Sequence, residues 1–135
     1  MKKVILSIAL IFIVLCTVLF IVFFSIGRTN MDFAEHASVI FTYSEKEIDS
    51  TIKQEDFETI KKIFGNKKLY KDSPSCGFSE DVSVKFNDSQ VFCIARDTCP
   101  IIYIKEKDKY FRITEEEKNE LYEILETYGF TFPCV

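Results

Sequence analysis

The feature that most constrains this sequence is an uninterrupted apolar run near its N-terminus. Residues 4–26 contain no charged residue, no proline and no glycine, and most of them are Ile, Leu, Val or Phe. As an α-helix the run is roughly 34 Å long, and the hydrocarbon core of a membrane is about 30 Å thick. The pattern predicts one membrane-spanning helix within residues 1–27, followed by a single small domain.

A cleaved signal peptide is the alternative that the residues leave open. Two lysines precede the apolar run, and residues 25–27 offer small side chains for cleavage after Gly27. The apolar part of a signal peptide is only about 7–15 residues long, which favours an uncleaved anchor. Cys16 is not expected to be a lipoprotein cysteine, because the bulky Leu15 precedes it and apolar sequence continues beyond it.

Charge sets the expected orientation of this helix. The N-terminal flank has two lysines and the amino group, whereas the other flank has Arg28, offset by Asp32 and Glu35. The positive-inside rule then predicts a single-pass protein of the cell membrane, with a cytoplasmic N-terminus and residues 28–135 outside. Without the two N-terminal lysines the chain has 15 basic and 21 acidic side chains, a net charge of −6. An acidic domain is unsuited to binding nucleic acid.

Residue periodicity predicts an α+β domain at 38–135, joined to the helix by a tether at 28–37. Alternating apolar residues predict strands at 39–43, 82–86, 90–95, 101–105 and 110–113. Apolar stripes at helical spacing predict helices at 54–64 and after Thr114, which forms a capping box with Glu117. The order β-α-β-β-β-β-α implies an antiparallel sheet with two helices packed on it. The stripe residues are Phe57, Ile60 and Phe64 in the first helix and Leu121, Ile124, Leu125 and Tyr128 in the last.

Four cysteines beyond the apolar run predict two disulfide bonds in an exported domain. They are Cys76, Cys93, Cys99 and Cys134. Three pairings are possible. If Phe86 pairs with Val91 across the first hairpin, Cys99 lies opposite Phe78 and close to Cys76, within bridging range. The favoured pairing is therefore Cys76–Cys99 and Cys93–Cys134, and it would staple the domain.

Catalytic and metal sites are not expected. The cysteines form neither the Cys-x-x-Cys motif of oxidoreductases nor the closely spaced pairs of structural zinc sites. His36 is the only histidine and lies on the tether, with no nucleophile placed beside it. No Gly-rich phosphate loop occurs, so no cofactor is predicted. The glutamates of the last helix are typical of a solvated helix face.

One group of basic residues predicts a docking patch for phospholipid head groups or an anionic envelope polymer. Its members are Lys61, Lys62, Lys67, Lys68 and Lys71.

Three segments carry a resemblance to a known group of proteins. They are Cys76-Gly77-Phe78, the stretch 92–99 from Phe92 to Cys99, and the ending 128–134 from Tyr128 to Cys134. In these segments the domain resembles small uncharacterised exported or membrane-anchored proteins of Gram-positive bacteria. The resemblance implies an extracytoplasmic module with disulfides, and no activity comes with it.

The sequence therefore predicts a membrane-anchored extracytoplasmic domain without enzymatic activity. Residues 4–26 would contact the membrane, and the domain would bind or shield an unidentified protein or polymer of the cell envelope. One alternative is a secreted inhibitor or effector, released by signal peptidase after Gly27. The enzyme-class alternative is an envelope hydrolase that uses paired carboxylates.

Overall fold

The computed structural model describes the backbone of all 135 residues and every side chain except those of residues 2 and 24–26. Three helices are present: α1 (Lys2–Ile26), α2 (Gln54–Phe64) and α3 (Glu115–Thr127). Six strands are present: β1 (Ala37–Tyr43), β2 (Lys46–Thr51), β3 (Val82–Phe86), β4 (Gln90–Ile94), β5 (Ile101–Ile104) and β6 (Lys109–Arg112). The expected α+β class and the order of the predicted elements are confirmed.

Helix α1 is long and apolar enough to cross a membrane over Lys3–Phe23. Its described side chains are exposed, including Leu6 at 73% and Phe23 at 83%. Large apolar side chains that no part of the domain covers are expected of a helix that is surrounded by lipid.

All six strands form one antiparallel sheet in the order β2-β1-β3-β4-β5-β6. Both α2 and α3 pack on the same face, because the apolar residues of that face and of the two helices share one core. Phe64 lies at the centre of this core, with ring centroids 5.5 Å from both Phe92 and Phe111. We call the other side of the sheet the outer face.

The register of the β3–β4 hairpin differs from the predicted one. Phe86 pairs with Gln90 and not with Val91. Asn87 and Asp88 both adopt positive φ, at 47° and 57°, and the turn closes with the Ser89 N–H donating to Phe86 O. Three residues, 87–89, therefore separate the paired positions, whereas the predicted pairing of Phe86 with Val91 places four between them, and this difference shifts the register by one position.

Strand β2 was not predicted. Its sequence, Lys-Glu-Ile-Asp-Ser-Thr, has few of the residues that favour strands. It pairs only with β1 and forms one edge of the sheet, where charged residues are suitable because they discourage pairing with another chain. A tight turn at Ser44 and Glu45, with φ of 49° and 68°, connects the two strands.

Both helices of the domain begin and end near the predicted positions. In α2 the stripe residues Phe57, Ile60 and Phe64 are buried. Helix α3 has the expected capping box between Thr114 and Glu117. Its buried residues are Leu121 and Leu125, whereas Ile124 is only half-buried.

The segment at 28–37, expected as a tether, packs onto the domain. The Thr29 N–H donates to Lys67 O at 2.8 Å, and the Thr29 hydroxyl donates to Phe64 O at 2.6 Å. Met31 and Ala34 are 4% and 3% exposed and belong to the core. The chain therefore enters the domain almost directly after α1 ends.

Candidate functional site

Two chain segments distant in sequence bring two thiols and a carboxylate together at one end of the sheet. The Sγ atoms of Cys76 and Cys99 and a carboxylate oxygen of Asp97 all lie within 4.8 Å of one another. Both cysteines are half-buried, and Asp97 is exposed. We call these three residues the thiol–carboxylate cluster.

Backbone hydrogen bonds hold the two segments in place. The Arg96 N–H donates to Gly77 O at 3.0 Å, which ties the turn after β4 to the loop that contains Cys76. Within that turn the Cys99 N–H donates to Asp97 Oδ1 at 3.2 Å, and Thr98 between them has a φ of 69°. The compact turn thus places the side chains of positions 97 and 99 next to each other, as expected for an Asx-type turn.

The two thiols of the cluster interact directly. A hydrogen bond with Cys76, together with burial and the neighbouring Asp97, raises the pKa of Cys99 to about 12. The neutral thiol is therefore favoured at this position, and a neutral thiol is a weak nucleophile. Cys76 and Cys99 are both free cysteines in the structure, so the predicted disulfide staple is not supported, although its first two partners are neighbours.

The predicted Cys93–Cys134 bridge is not supported either. Cys93 pairs with Ser83 and Tyr103 on the outer face, whereas Cys134 is fully buried in the core on the helix side. Both are free thiols. Burial, followed by the charges of nearby carboxylates such as Glu80, raises the pKa of Cys93 to about 12, so it is an inert buried thiol. The sequence offers Cys134 only as the cysteine left over once Cys76 is paired with Cys99, so it carries no information on the face of the sheet that each side chain occupies.

Arg96, rather than a disulfide, holds the C-terminal tail on the domain. Its Nε donates to Cys134 O at 2.8 Å, and its backbone oxygen accepts the Cys134 N–H at 3.0 Å. The guanidinium carbon also lies 5.6 Å from the ring centroid of Tyr43, whose hydroxyl donates to Val135 O at 2.9 Å. No local pattern in the sequence indicates these contacts, because their partners are separated by 38 positions (Arg96 and Cys134) and by 92 positions (Tyr43 and Val135).

The five lysines of the predicted docking patch separate into two groups. Lys61 donates to Ala34 O at 3.0 Å, and Lys67 Nζ lies 2.5 Å from Glu117 Oε1, so both stabilise the fold. Lys62, Lys68 and Lys71 are exposed, and among the described residues none of the three has an ion pair. We call these three the exposed lysines.

The end of α1 lies next to one of the exposed lysines. Leu69 N–H donates to Gly27 O at 2.8 Å, and Arg28 forms an antiparallel bridge with Lys68. Phe23, Gly27, Arg28 and Lys68 border a shallow depression of about 300 Å³. Two cationic side chains and an aromatic ring therefore surround one small surface at the end of the apolar helix.

Two further surfaces carry polar groups. A cleft of about 630 Å³ on the outer face contains Cys93 and the exposed ion pair of Lys105 with Glu80. A groove of about 390 Å³ between α2 and α3 is lined by acidic residues of both helices. Its acidic residues are Glu55, Asp56, Glu120 and Glu123.

His36 lies apart from these surfaces. It is exposed, and its Nε2 is 3.3 Å from Asp88 Oδ2, which is also exposed. Among the described side chains, no hydroxyl or thiol contacts this imidazole as a nucleophile would.

Comparisons with protein-family models, with curated proteins and with solved structures gave no match. The resemblance to exported proteins of Gram-positive bacteria stays a prediction. The arguments for function therefore come from the residues described above.

Proposed function

We propose that this chain is a membrane-anchored protein whose α+β domain lies outside the cell against the lipid surface and has a binding or structural role without catalysis. The observation that carries the proposal is the docking of residues 27–29 on residues 67–69. Because this contact begins one residue after α1, the domain cannot be far from the bilayer in which α1 would be embedded.

The charges near the end of α1 suit a phospholipid head group. Arg28 and Lys68 are cationic, and Phe23 belongs to the apolar helix itself. Basic residues at a bilayer surface attract anionic lipids, each with roughly 1 kcal/mol, and aromatic residues are enriched at the membrane interface. We expect the phosphate of a lipid to be the partner of these two cations.

In this arrangement the β6 edge of the sheet is the one near the membrane, and the β2 edge is the one away from it. Tyr70, between Lys68 and Lys71, exchanges both backbone hydrogen bonds with Tyr110 on the edge strand β6. The opposite edge is β2. The β6 edge therefore carries exposed lysines beside the end of α1, whereas Lys46 on β2 lies at the far edge of the sheet.

Amine footprinting of the full chain in lipid nanodiscs tests contact with the lipid surface. We expect Lys68 and Lys71 to be acylated more slowly in nanodiscs with anionic lipid than in purely zwitterionic ones, and high salt to remove the difference. Lys46 is the matched internal control and should react equally in both. Equal reaction of Lys68 in the two lipids would contradict the proposed lipid contact.

Orientation is tested on intact cells with a C-terminal epitope tag. We expect added protease to remove the tag before lysis, because the domain is proposed to lie outside. Intact-mass analysis of the membrane fraction should give the uncleaved chain. A tag that is protected until lysis would contradict the extracytoplasmic position of the domain. A protein that begins at Arg28 would contradict the anchor and would favour the secreted inhibitor or effector.

A further inference from the structure

We propose that Cys76, Asp97 and Cys99 bind a thiophilic divalent cation, with Zn²⁺ as the expected ion. The proposal rests on the geometry of the thiol–carboxylate cluster, whose three ligand atoms lie within 4.8 Å of one another. It makes no use of the proposed lipid contact: Cys76 lies in the same connection between α2 and β3 as Lys68, but the ligands at 76, 97 and 99 are not among the residues that contact the end of α1.

The distances suit one metal ion. Zinc binds thiolate sulfur at about 2.3 Å and carboxylate oxygen at about 2.0–2.2 Å, so two ligands of one zinc ion are at most roughly 4.6 Å apart and closer in a tetrahedron. The cluster needs only a small contraction to reach that spacing. Rotation of the half-buried side chains of Cys76 and Cys99 would supply it.

The donor set selects the class of cation. Two thiolates favour soft or borderline ions such as Zn²⁺ and Cd²⁺, whereas Mg²⁺ and Ca²⁺ require oxygen ligands throughout. Two thiolates and one carboxylate carry three negative charges, which a divalent cation largely neutralises. Three protein ligands leave the fourth tetrahedral position to water or to a group from a partner.

Two buried tyrosine hydroxyls provide a second observation. Tyr70 Oη and Tyr122 Oη have no hydrogen-bond partner among the described residues, although buried hydroxyls are normally paired. Tyr70 lies within electrostatic range of Cys76, and Tyr122 lies within range of Asp97 and Cys99. Both unpaired hydroxyls therefore belong to the electrostatic surroundings of the cluster.

The backbone around the cluster is already organised. Asp97 accepts the Cys99 N–H through Oδ1, which leaves Oδ2 for an ion, and the Arg96–Gly77 hydrogen bond fixes the distance between the two loops. The sequence predicts the proximity of Cys76 and Cys99, but it favours a disulfide there because closely spaced cysteine pairs are missing, and nothing in it indicates the contribution of Asp97. Preorganised ligands lose little entropy when they bind a cation.

Titration of the reduced full chain in detergent micelles with Cd²⁺ tests the proposal. We expect the ultraviolet charge-transfer absorption of cadmium thiolate to saturate at one ion per chain and Zn²⁺ to compete for the site. Cys76→Ser or Cys99→Ser should abolish the absorption, and Asp97→Asn should weaken binding by about tenfold or more.

Matched controls come from the other cysteines of the chain. Cys16→Ser, Cys93→Ala and Cys134→Ala should each leave the titration unchanged, and circular dichroism should show that every variant is folded. Absence of saturable absorption in the folded wild type, or its persistence in Cys76→Ser, would overturn the proposal.

A second experiment separates metal binding from the competing use of the same thiols in a disulfide. The protein is taken from cell membranes without reductant, and its zinc is measured by elemental analysis. The metal is then removed with a chelator, and the protein is alkylated and analysed by mass spectrometry. We expect Cys76 and Cys99 to be alkylated after removal of the metal, with about one zinc per chain. A disulfide between them in the isolated protein would overturn the metal site and would support the staple instead.

Discussion

Lys67 and Glu117 join the loop after α2 to the first turn of α3: Lys67 Nζ lies 2.5 Å from Glu117 Oε1, with the two side chains only 19% and 26% exposed. The same carboxylate accepts the Thr114 N–H through Oε2 at 2.9 Å. One side chain therefore caps α3 and holds the loop on which residues 27–29 dock.

Replacement of this carboxylate tests its double role. Glu117→Gln keeps a polar side chain in the capping box but removes the charge that faces Lys67, so we expect a loss of about 1 kcal/mol in the free energy of unfolding near neutral pH. Urea titration of the full chain in micelles, followed by tyrosine fluorescence, measures the loss. Glu116→Gln, which changes an exposed residue of the same turn, should have a smaller effect.

The pH dependence of this loss follows from the pKa of Glu117. Burial alone would raise this pKa, but hydrogen bonds from Lys67 and from the Thr114 N–H, with the charge of Lys67, lower it below its usual value of 4.5. A carboxylate whose pKa is lowered in the folded state stabilises the fold at any pH above the pKa of the unfolded chain. This contribution is lost as the pH falls through the pKa of the folded state. The difference between wild type and Glu117→Gln should shrink between about pH 5 and pH 3. A difference that stays constant over this range would argue against the ion pair.

The packing of α3 leads to different expectations for two neighbouring apolar residues. Leu121 is fully buried, whereas Ile124 is half-buried beside the acidic groove between the helices. We expect Leu121→Ala to lower the free energy of unfolding by roughly 2–5 kcal/mol and Ile124→Ala by about 1 kcal/mol or less. Urea titration of both variants should separate them. Equal losses would mean that α3 is rotated about its axis relative to the structure.

Arg96 gives a third prediction, because it anchors the C-terminal tail without a covalent bond. Arg96→Lys removes the Nε donor to Cys134 O and the guanidinium over Tyr43, so we expect a loss of about 1–2 kcal/mol and faster amide exchange in residues 130–135. Hydrogen exchange measured by mass spectrometry tests this. Arg112→Lys, at an exposed position of β6, is the matched control. A tail that stays protected in Arg96→Lys would show that other contacts hold it.

Local patterns in the sequence were sufficient to predict the helices. The stripe of Phe57, Ile60 and Phe64 and the capping box at Thr114 depend only on residues within a few positions of each other, and both were confirmed. Strand β2 has no such pattern, since its strand conformation depends on pairing with β1 rather than on the propensity of its own residues.

Long-range relationships were predicted less well, for identifiable reasons. The β3–β4 turn is one residue shorter than predicted, which shifts the hairpin register by one position. The partner of Cys93 was predicted only by elimination, after Cys76 was paired with Cys99, and it is not supported. The proximity of Cys76 to Cys99 was expected, but the contribution of Asp97 was not, because it depends on the backbone conformation at Thr98. Positive φ at a threonine is uncommon, and no signal in a single sequence indicates it.

Gly129 gives the last prediction, because two separate effects oppose a side chain at this position. Its φ is 101°, a conformation that residues with a Cβ rarely adopt, and an added Cβ would lie 2.8 Å from Ile48 Cδ1. We expect Gly129→Ala to cost about 1–3 kcal/mol. Gly77→Ala is the control, because a Cβ there would have no atom within 4 Å, and it should be nearly neutral.

A double substitution distinguishes the two effects. Ile48→Val removes the Cδ1 atom that would clash, so it relieves the steric part of the cost and leaves the backbone strain unchanged. Because Cδ1 is the end of a flexible side chain that can rotate away, we expect the strain at φ to dominate. The coupling free energy between Ile48→Val and Gly129→Ala should then be below about 0.5 kcal/mol in a double-mutant cycle. A coupling above about 1 kcal/mol would mean instead that Ile48 is held firmly against the end of α3, and that packing rather than backbone conformation requires glycine there.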